Sequence, residues 1–221
     1  MALDQNDLVQ RELLDHGVYE PEVTDFLGTA LNSSDVFLDV GANCGYYSLY
    51  AAASAGCRVV AFEPDPEMFE ALRWNISLNP LLAGLVEPRA EALSCENGSR
   101  RFFRAAGSNS GMSGFSERRA VASFDVPIRT LDSLVESGAV PQPTVMKVDV
   151  EGHETAVFAG AGRVLDCRSL RAVVFEAAPA PGSRPADDVL VSMFRDRGFA
   201  IRQIGISGYV DTENYLALRE R

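Results

Sequence analysis

Two strand ends constrain this chain more than any other feature: VFLDVGANCGYYS at 36–48 and CRVVAFEPD at 57–65. Each is an apolar run that stops at an acidic residue and a turn, and the first opens into a helical pattern. Gly41 and Gly45 give the backbone freedom for a tight turn and for close approach to a ligand. Glu63 ends the second run, where a doubly wound sheet sets a carboxylate against a ribose diol.

Asp39 discriminates between nucleosides. A carboxylate just before the first glycine repels a pyrophosphate but suits a cationic ligand. S-adenosylmethionine carries both a sulfonium and an ammonium group. The paired turns therefore point to a methyl-donor site.

The flanking pattern predicts the rest of an α/β fold. Leu8, Leu13 and Leu14, then Val23, Phe26, Leu27 and Leu31, have helical spacing broken by HGVYEPE, so residues 1–34 are expected to form an N-terminal helical cap. Strands are predicted at 36–40 and 58–62, with helices at 46–55 and 66–78. A third apolar stretch runs over 85–93. RRFFRAAGSNSGMSGFSERRAVASFDVPI at 100–128 has two strand-like flanks around a Gly/Ser-rich loop, which predicts a hairpin insertion. Alternation resumes with a helix near 131–137, the strand TVMKVDVEG, a helix from 153, strand 171–178, a helix near 186–197, and strands 199–205 and 214–220. The expected architecture is a single domain over 1–221. Its sheet is seven-stranded, Rossmann-like and mostly parallel, with the last strand antiparallel.

Composition narrows the partners. A formal net charge of −11 opposes a phosphate backbone, so nucleic acid is not expected as substrate. Cys44, Cys57, Cys95 and Cys167 show no CxxC pair, so neither a disulfide framework nor a structural zinc is expected. Cys44, inside the glycine turn, suits a small apolar filler. The acidic start MALDQNDLVQRELL lacks a signal-peptide pattern, and no apolar run is long enough to span a membrane. A cytoplasmic protein with no membrane partner is expected; oligomeric state is not legible.

DVGANCGYYS, FEPDPEMFEALRWNISLN, and TLDSL followed by KVDVEGHE together resemble the FkbM family of S-adenosylmethionine-dependent methyltransferases, over roughly Tyr19 to Ala177. The resemblance implies the seven-stranded methyltransferase fold and O-methylation of a hydroxyl on a small metabolite, natural product or sugar. It places Asp39, Gly41, Asn43 and Gly45 at the methionine end of the cofactor and Glu63 at the ribose. Glu91 and Ala92, within EAL at 91–93, fall beside adenine.

KVDVEGHE is where substrate chemistry is expected. Period-2 alternation sets Lys147, Asp149 and Glu151 on one side, paired with one another or facing the ligand. Asp149 is placed near the transferred methyl or the cofactor's amino group. His153, entering the next helix, is the candidate base, because a positive helix terminus favours neutral imidazole. Asp149, Glu151 and Glu176 could share a cation, but their spacing does not support a metal site and none is expected. Two alternatives compete with the methyltransferase. A nicotinamide-dependent oxidoreductase would need a third glycine where Tyr46 stands. A non-catalytic partner subunit with the same fold is separated only by assay.

Overall fold

The computed structural model describes residues 1–105, 113–117, 120–177, 189–206 and 213–220. Helices α1 (Leu8–His16) and α2 (Pro21–Ala30) lead into β1 (Val36–Val40), α3 (Tyr46–Ala55), β2 (Arg58–Phe62) and α4 (Pro66–Ser77). Short strands β3 (Val86–Arg89) and β4 (Ala92–Leu93) precede the hairpin strands β5 (Gly98–Ala105) and β6 (Ala120–Arg129). The second half runs through α5 (Leu131–Glu136), β7 (Val145–Val148), α6 (Glu154–Ala159), α7 (Gly162–Asp166) and β8 (Ala172–Ala177). It ends with α8 (Val189–Asp196), β9 (Phe199–Ile206) and β10 (Glu213–Arg219).

Local chemistry sets these boundaries. Asp7 caps α1 by accepting from the Gln10 amide at 3.0 Å, and Gly17 ends that helix in the left-handed conformation. Asp65 caps α4 in the same way, with Pro66 preset for the first turn.

Seven strands make one sheet in the order β3-β2-β1-β7-β8-β10-β9, parallel except where β10 runs against both neighbours. Alternation along β1 and β7 sends Leu38, Val40, Met146 and Val148 to a core that also holds Leu131 of α5, Phe158 of α6 and Phe194 of α8. Phe37 and Val145 point to the other face, packed with Leu27 of α2, Ala51 of α3 and Leu72 of α4. The order of strands reverses direction at β1 and β7, and the crevice at their carboxyl ends holds the site. Among the described residues, no helix is long and apolar enough to cross a membrane.

Two sequence expectations need correction. The apolar stretch 85–93 is not one strand: β3 joins the main sheet beside β2, whereas β4 pairs with β6 in a separate three-stranded sheet. The break falls at Glu91, whose carboxylate turns to Arg89 and Arg129. The strand in TVMKVDVEG stops at Val148, because Glu151 (φ 53°) and Gly152 (φ 87°) curl the following loop. Strands β5 and β6 do pair antiparallel, as a hairpin requires. Most of the tip, 106–112, and of the Pro-rich loop after β8, 178–188, lies outside the described residues.

The glycine turn is held by close packing as well as by dihedral. Gly41 has φ 85°, and a Cβ there would lie 1.9 Å from the Asp149 carbonyl oxygen. Gly152 has a similar φ but open space around it. Gly41→Ala is therefore expected to cost well beyond the roughly 1–2 kcal/mol of a left-handed alanine, and Gly152→Ala only about that amount. Urea unfolding of both variants measures the difference; equal losses would contradict the packing argument.

Candidate active site

Each strand end contributes one piece of a cleft. From β1 come Gly41 and Asn43; from β2, Phe62 and Glu63; from β4, Ala92 and Leu93. Asp149, Glu151 and His153 follow β7, and Glu176 belongs to β8. The helical cap adds Leu8, Tyr19 and Glu20, while the hairpin adds Phe102, Ser113 and Phe115.

Glu63 is 6 % exposed, and its two carboxylate oxygens accept from separate backbone amides, Asn43 at 2.8 Å and Asp65 at 2.9 Å. Those bonds fix the carboxyl plane and leave lone pairs toward the cleft. Burial pushes its pKa up to about 7, against the pull of the two amides. Asn43 adopts φ 51°, tolerated by asparagine, and its side-chain oxygen accepts from the Cys44 amide at 2.7 Å. Cys44 is buried, its thiol pushed up to about 12 by desolvation, as befits a filler. Gly41 lines the cleft and also packs closely on the backbone at Asp149, which lies where its Cβ would be.

Asp39 is not on the cleft wall. It is 0 % exposed beneath α3, where Ser48 Oγ donates to its Oδ2 at 2.6 Å. Its Oδ1 is buried without a hydrogen-bond partner. Burial pushes the carboxyl up, only partly offset by Lys147 and the Ser48 bond. The parallel register sets Asp39 beside Lys147. The Lys147 side chain is 3 % exposed, donates to Asp149 Oδ2 at 2.8 Å, and sits 4.7 Å above the Tyr47 ring centroid. Burial alone would lower this ammonium, but Asp149, Glu20 and Asp39 outweigh it and hold the pKa above its ordinary value.

The loop after β7 is shaped by Glu154, whose Oε1 accepts from the Val150 amide at 3.0 Å and the Gly152 amide at 3.2 Å. This presents His153 to the cleft, where Nε2 shares a hydrogen bond with Ser94 Oγ at 3.1 Å and the ring lies 4.3 Å from Phe115. Burial, then the nearby Arg100, lowers the imidazole pKa to about 4, so it is neutral near pH 7. Desolvation at the cleft mouth, then Asp149, Glu176 and Glu154, raise the pKa of Glu151, which still keeps solvent contact.

The expected adenine contacts separate. Ala92 and Leu93 form an apolar wall, whereas Glu91 leaves it to bind Arg89 at 2.6 Å and Arg129 at 3.6 Å. Sequence reasoning missed Tyr19, Glu20, Phe102 and Phe115. Glu20 sits at φ 41°, accepting from Tyr47 Oη at 2.7 Å and from Asn214 Nδ2 at 2.6 Å. Its only sequence signal was the HGVYEPE punctuation. Among the described residues, no group of three or more His, Cys, Asp or Glu could hold a metal ion.

Residues 39–201 match the Methyltransferase FkbM domain, more than half of the chain. The chain belongs to the FkbM methyltransferase family. Its relatives include the hexuronic acid methyltransferase AglP of Haloferax volcanii, 35% identical over 71% of this chain and 62% of that protein. The 31-O-demethyl-FK506 methyltransferase FkbM of Streptomyces tacrolimicus is 28% identical over 79% of this chain and 76% of that one. Among solved structures, an FkbM methyltransferase from Methylobacillus flagellatus superposes with TM-score 0.59 at 15% identity, covering 85% of this chain and 44% of that one. Magnesium protoporphyrin IX methyltransferase from Synechocystis, with bound S-adenosylmethionine, gives TM-score 0.57 at 15% identity over 99% and 87%. The chain thus spans less than two thirds of AglP and of the Methylobacillus protein.

S-adenosylmethionine is the cofactor of this family, and the donor set fits it. A fixed carboxyl at β2 suits a ribose diol, Phe62, Ala92 and Leu93 suit a purine, and the carboxylates of Asp149 and Glu20 suit cationic groups. Below pH 7 Glu63 holds a proton and loses acceptor capacity; above it, both oxygens accept. Affinity for S-adenosylhomocysteine is expected to rise as pH passes through about 7 and then level. Glu63→Gln should remove that step and weaken binding by about 10–100-fold at high pH. Isothermal titration of both proteins measures it; an identical pH profile in the variant would contradict a role for Glu63.

Proposed function

We propose that the protein is an S-adenosylmethionine-dependent O-methyltransferase acting on a hydroxyl of a small metabolite, natural product or sugar. The observation that carries this reading is the neutral His153, pinned by Ser94 at the end of the cleft that holds Asp149. Bound S-adenosylmethionine supplies an electrophilic methyl group on a sulfonium. An alcohol oxygen has to lose its proton as it is alkylated, and a base within reach speeds that loss. Holding the oxygen in line supplies much of the remaining rate.

The chain's own residues divide this work. Phe102 and Phe115 offer a ring-sized apolar surface to the acceptor, and they pack edge to face at 5.3 Å. Ser94 and Phe115 fix the imidazole, and Asp149, bonded to Lys147 at 2.8 Å, lies on the same loop. The names of AglP and of the Streptomyces FkbM, one for a hexuronic acid and one for an O-demethyl natural product, support an oxygen acceptor of this size. The same proposal has the enzyme act on a small molecule in the cytoplasm.

His153→Ala is expected to lower kcat by about 10²–10⁴-fold while S-adenosylhomocysteine affinity is retained. The base form of His153 is present above pH 4 and lost as pH falls through it, so wild-type kcat should not fall with His153 titration between pH 9 and pH 5. Methyl transfer to a panel of alcohols and sugars, followed by mass, measures both. Full turnover in the variant would remove His153 from the chemistry, and absence of turnover with every acceptor would favour a non-catalytic subunit.

A further inference from the structure

We propose that Arg100 binds a carboxylate on the acceptor, so that the substrate is a hydroxylated carboxylic acid; this rests on the methyltransferase reading above. Strand β5 places Arg100, Phe102 and Arg104 on one face by alternation, and Phe102 lines the cleft. The Arg100 guanidinium lies 4.9 Å from the Phe115 ring centroid, and that ring in turn lies 4.3 Å from His153. Arg100 is thus an exposed residue in contact with Phe115 of the cleft lining, one aromatic ring away from the candidate base.

Its surroundings distinguish it from the other described arginines of the hairpin strands. Arg104 is held by Asp65 and Glu67, Arg101 faces Asp125 at 3.3 Å, and Arg129 faces Glu91 at 3.6 Å. Among the described residues, Arg100 has no carboxylate partner. The guanidinium is held against the Phe115 ring, and a planar guanidinium suits two-point recognition of a carboxylate. Stacking also restricts the side chain before binding, which reduces the entropy lost on contact.

The charges across the cleft support the same orientation. Glu20, Asp149 and Glu176 line the cleft on its cap and sheet side, so an acid group there would be repelled, while Glu151 comes close to the hairpin at Gly114. With a formal net charge of −11, the protein offers no long-range attraction to an anion, and recognition has to be local. Arg100 also disfavours the imidazolium of His153. A carboxylate on Arg100 would offset that effect and return basicity to the imidazole when acceptor is bound.

The test titrates glucuronate, galacturonate, gluconate and salicylate, each with its primary amide, into protein saturated with S-adenosylhomocysteine. At least one acid is expected to bind about 10–100-fold tighter than its amide. Arg100→Gln, at an exposed position, should erase the preference, and Arg100→Lys should restore part of it. Equal binding of every pair, a preference that survives in Arg100→Gln, or failure of every acid to bind at millimolar concentration would overturn the proposal. The S-adenosylhomocysteine titration reports separately on the methyltransferase reading: its failure alone would overturn that reading.

Discussion

One buried ammonium, that of Lys147, holds together parts of the cleft that come from distant places in the chain. Removing a charge from water costs several kcal/mol, so such a group persists only where opposite charge and hydrogen bonds offset the loss. Asp149 meets it at 2.8 Å, the Tyr47 ring covers it, and the fields of Glu20 and Asp39 add to the compensation. Those four residues belong to the loop after β7, the helix after β1, the N-terminal cap and β1 itself. Glu20 extends the connection to β10 through Asn214. The ion pair thus ties the cap, and through it β10, to the two central strands, and sets the carboxylate of Asp149 where the cleft opens.

The cleft that results is electrically polar. Its sheet side carries carboxylates, its hairpin side carries aromatic rings and a guanidinium that has no carboxylate partner among the described residues, and Glu63 stands at the far end under two amide bonds. The hairpin is fastened to the core by Arg104, which reaches the buried Asp65 at the start of α4. Asp65 is also one residue from Pro64 on the cleft wall: its carboxylate caps a helix and anchors the hairpin, and its backbone amide donates to Glu63. Loss of the Asp65 anchor would be felt at both ends of the site.

Much of this was legible in the sequence where the cause was local. Apolar runs marked β1, β2 and β8, Gly41 and Gly45 marked the turn, and Glu63 stands at the strand end where its run stops. His153 and Asp149 were legible because they follow a strand that neighbours β1. The misplacements share one physical origin, a partner distant in sequence. Glu91 turns away because pairing of β4 with β6 brings Arg129 to it. Asp39 is sealed because α3 folds back and offers the Ser48 hydroxyl. Glu20 and Phe115 reach the cleft only through tertiary packing of the cap and hairpin, which no period or motif encodes.

The ion pair at Lys147 is the point at which the account is most exposed. Urea unfolding and S-adenosylhomocysteine titration of Lys147→Met, Asp149→Leu and the double variant measure it together. Asp149→Leu should cost about 3–5 kcal/mol of stability by leaving Lys147 buried and unpaired, Lys147→Met should cost less because the Asp149 side chain is 27% exposed, and the double variant should recover most of the Asp149→Leu loss. Cofactor binding should fall in every variant that lacks Asp149, including the restabilised double. Additive losses of stability, or full affinity in Asp149→Leu, would contradict the claim that this pair organises the site.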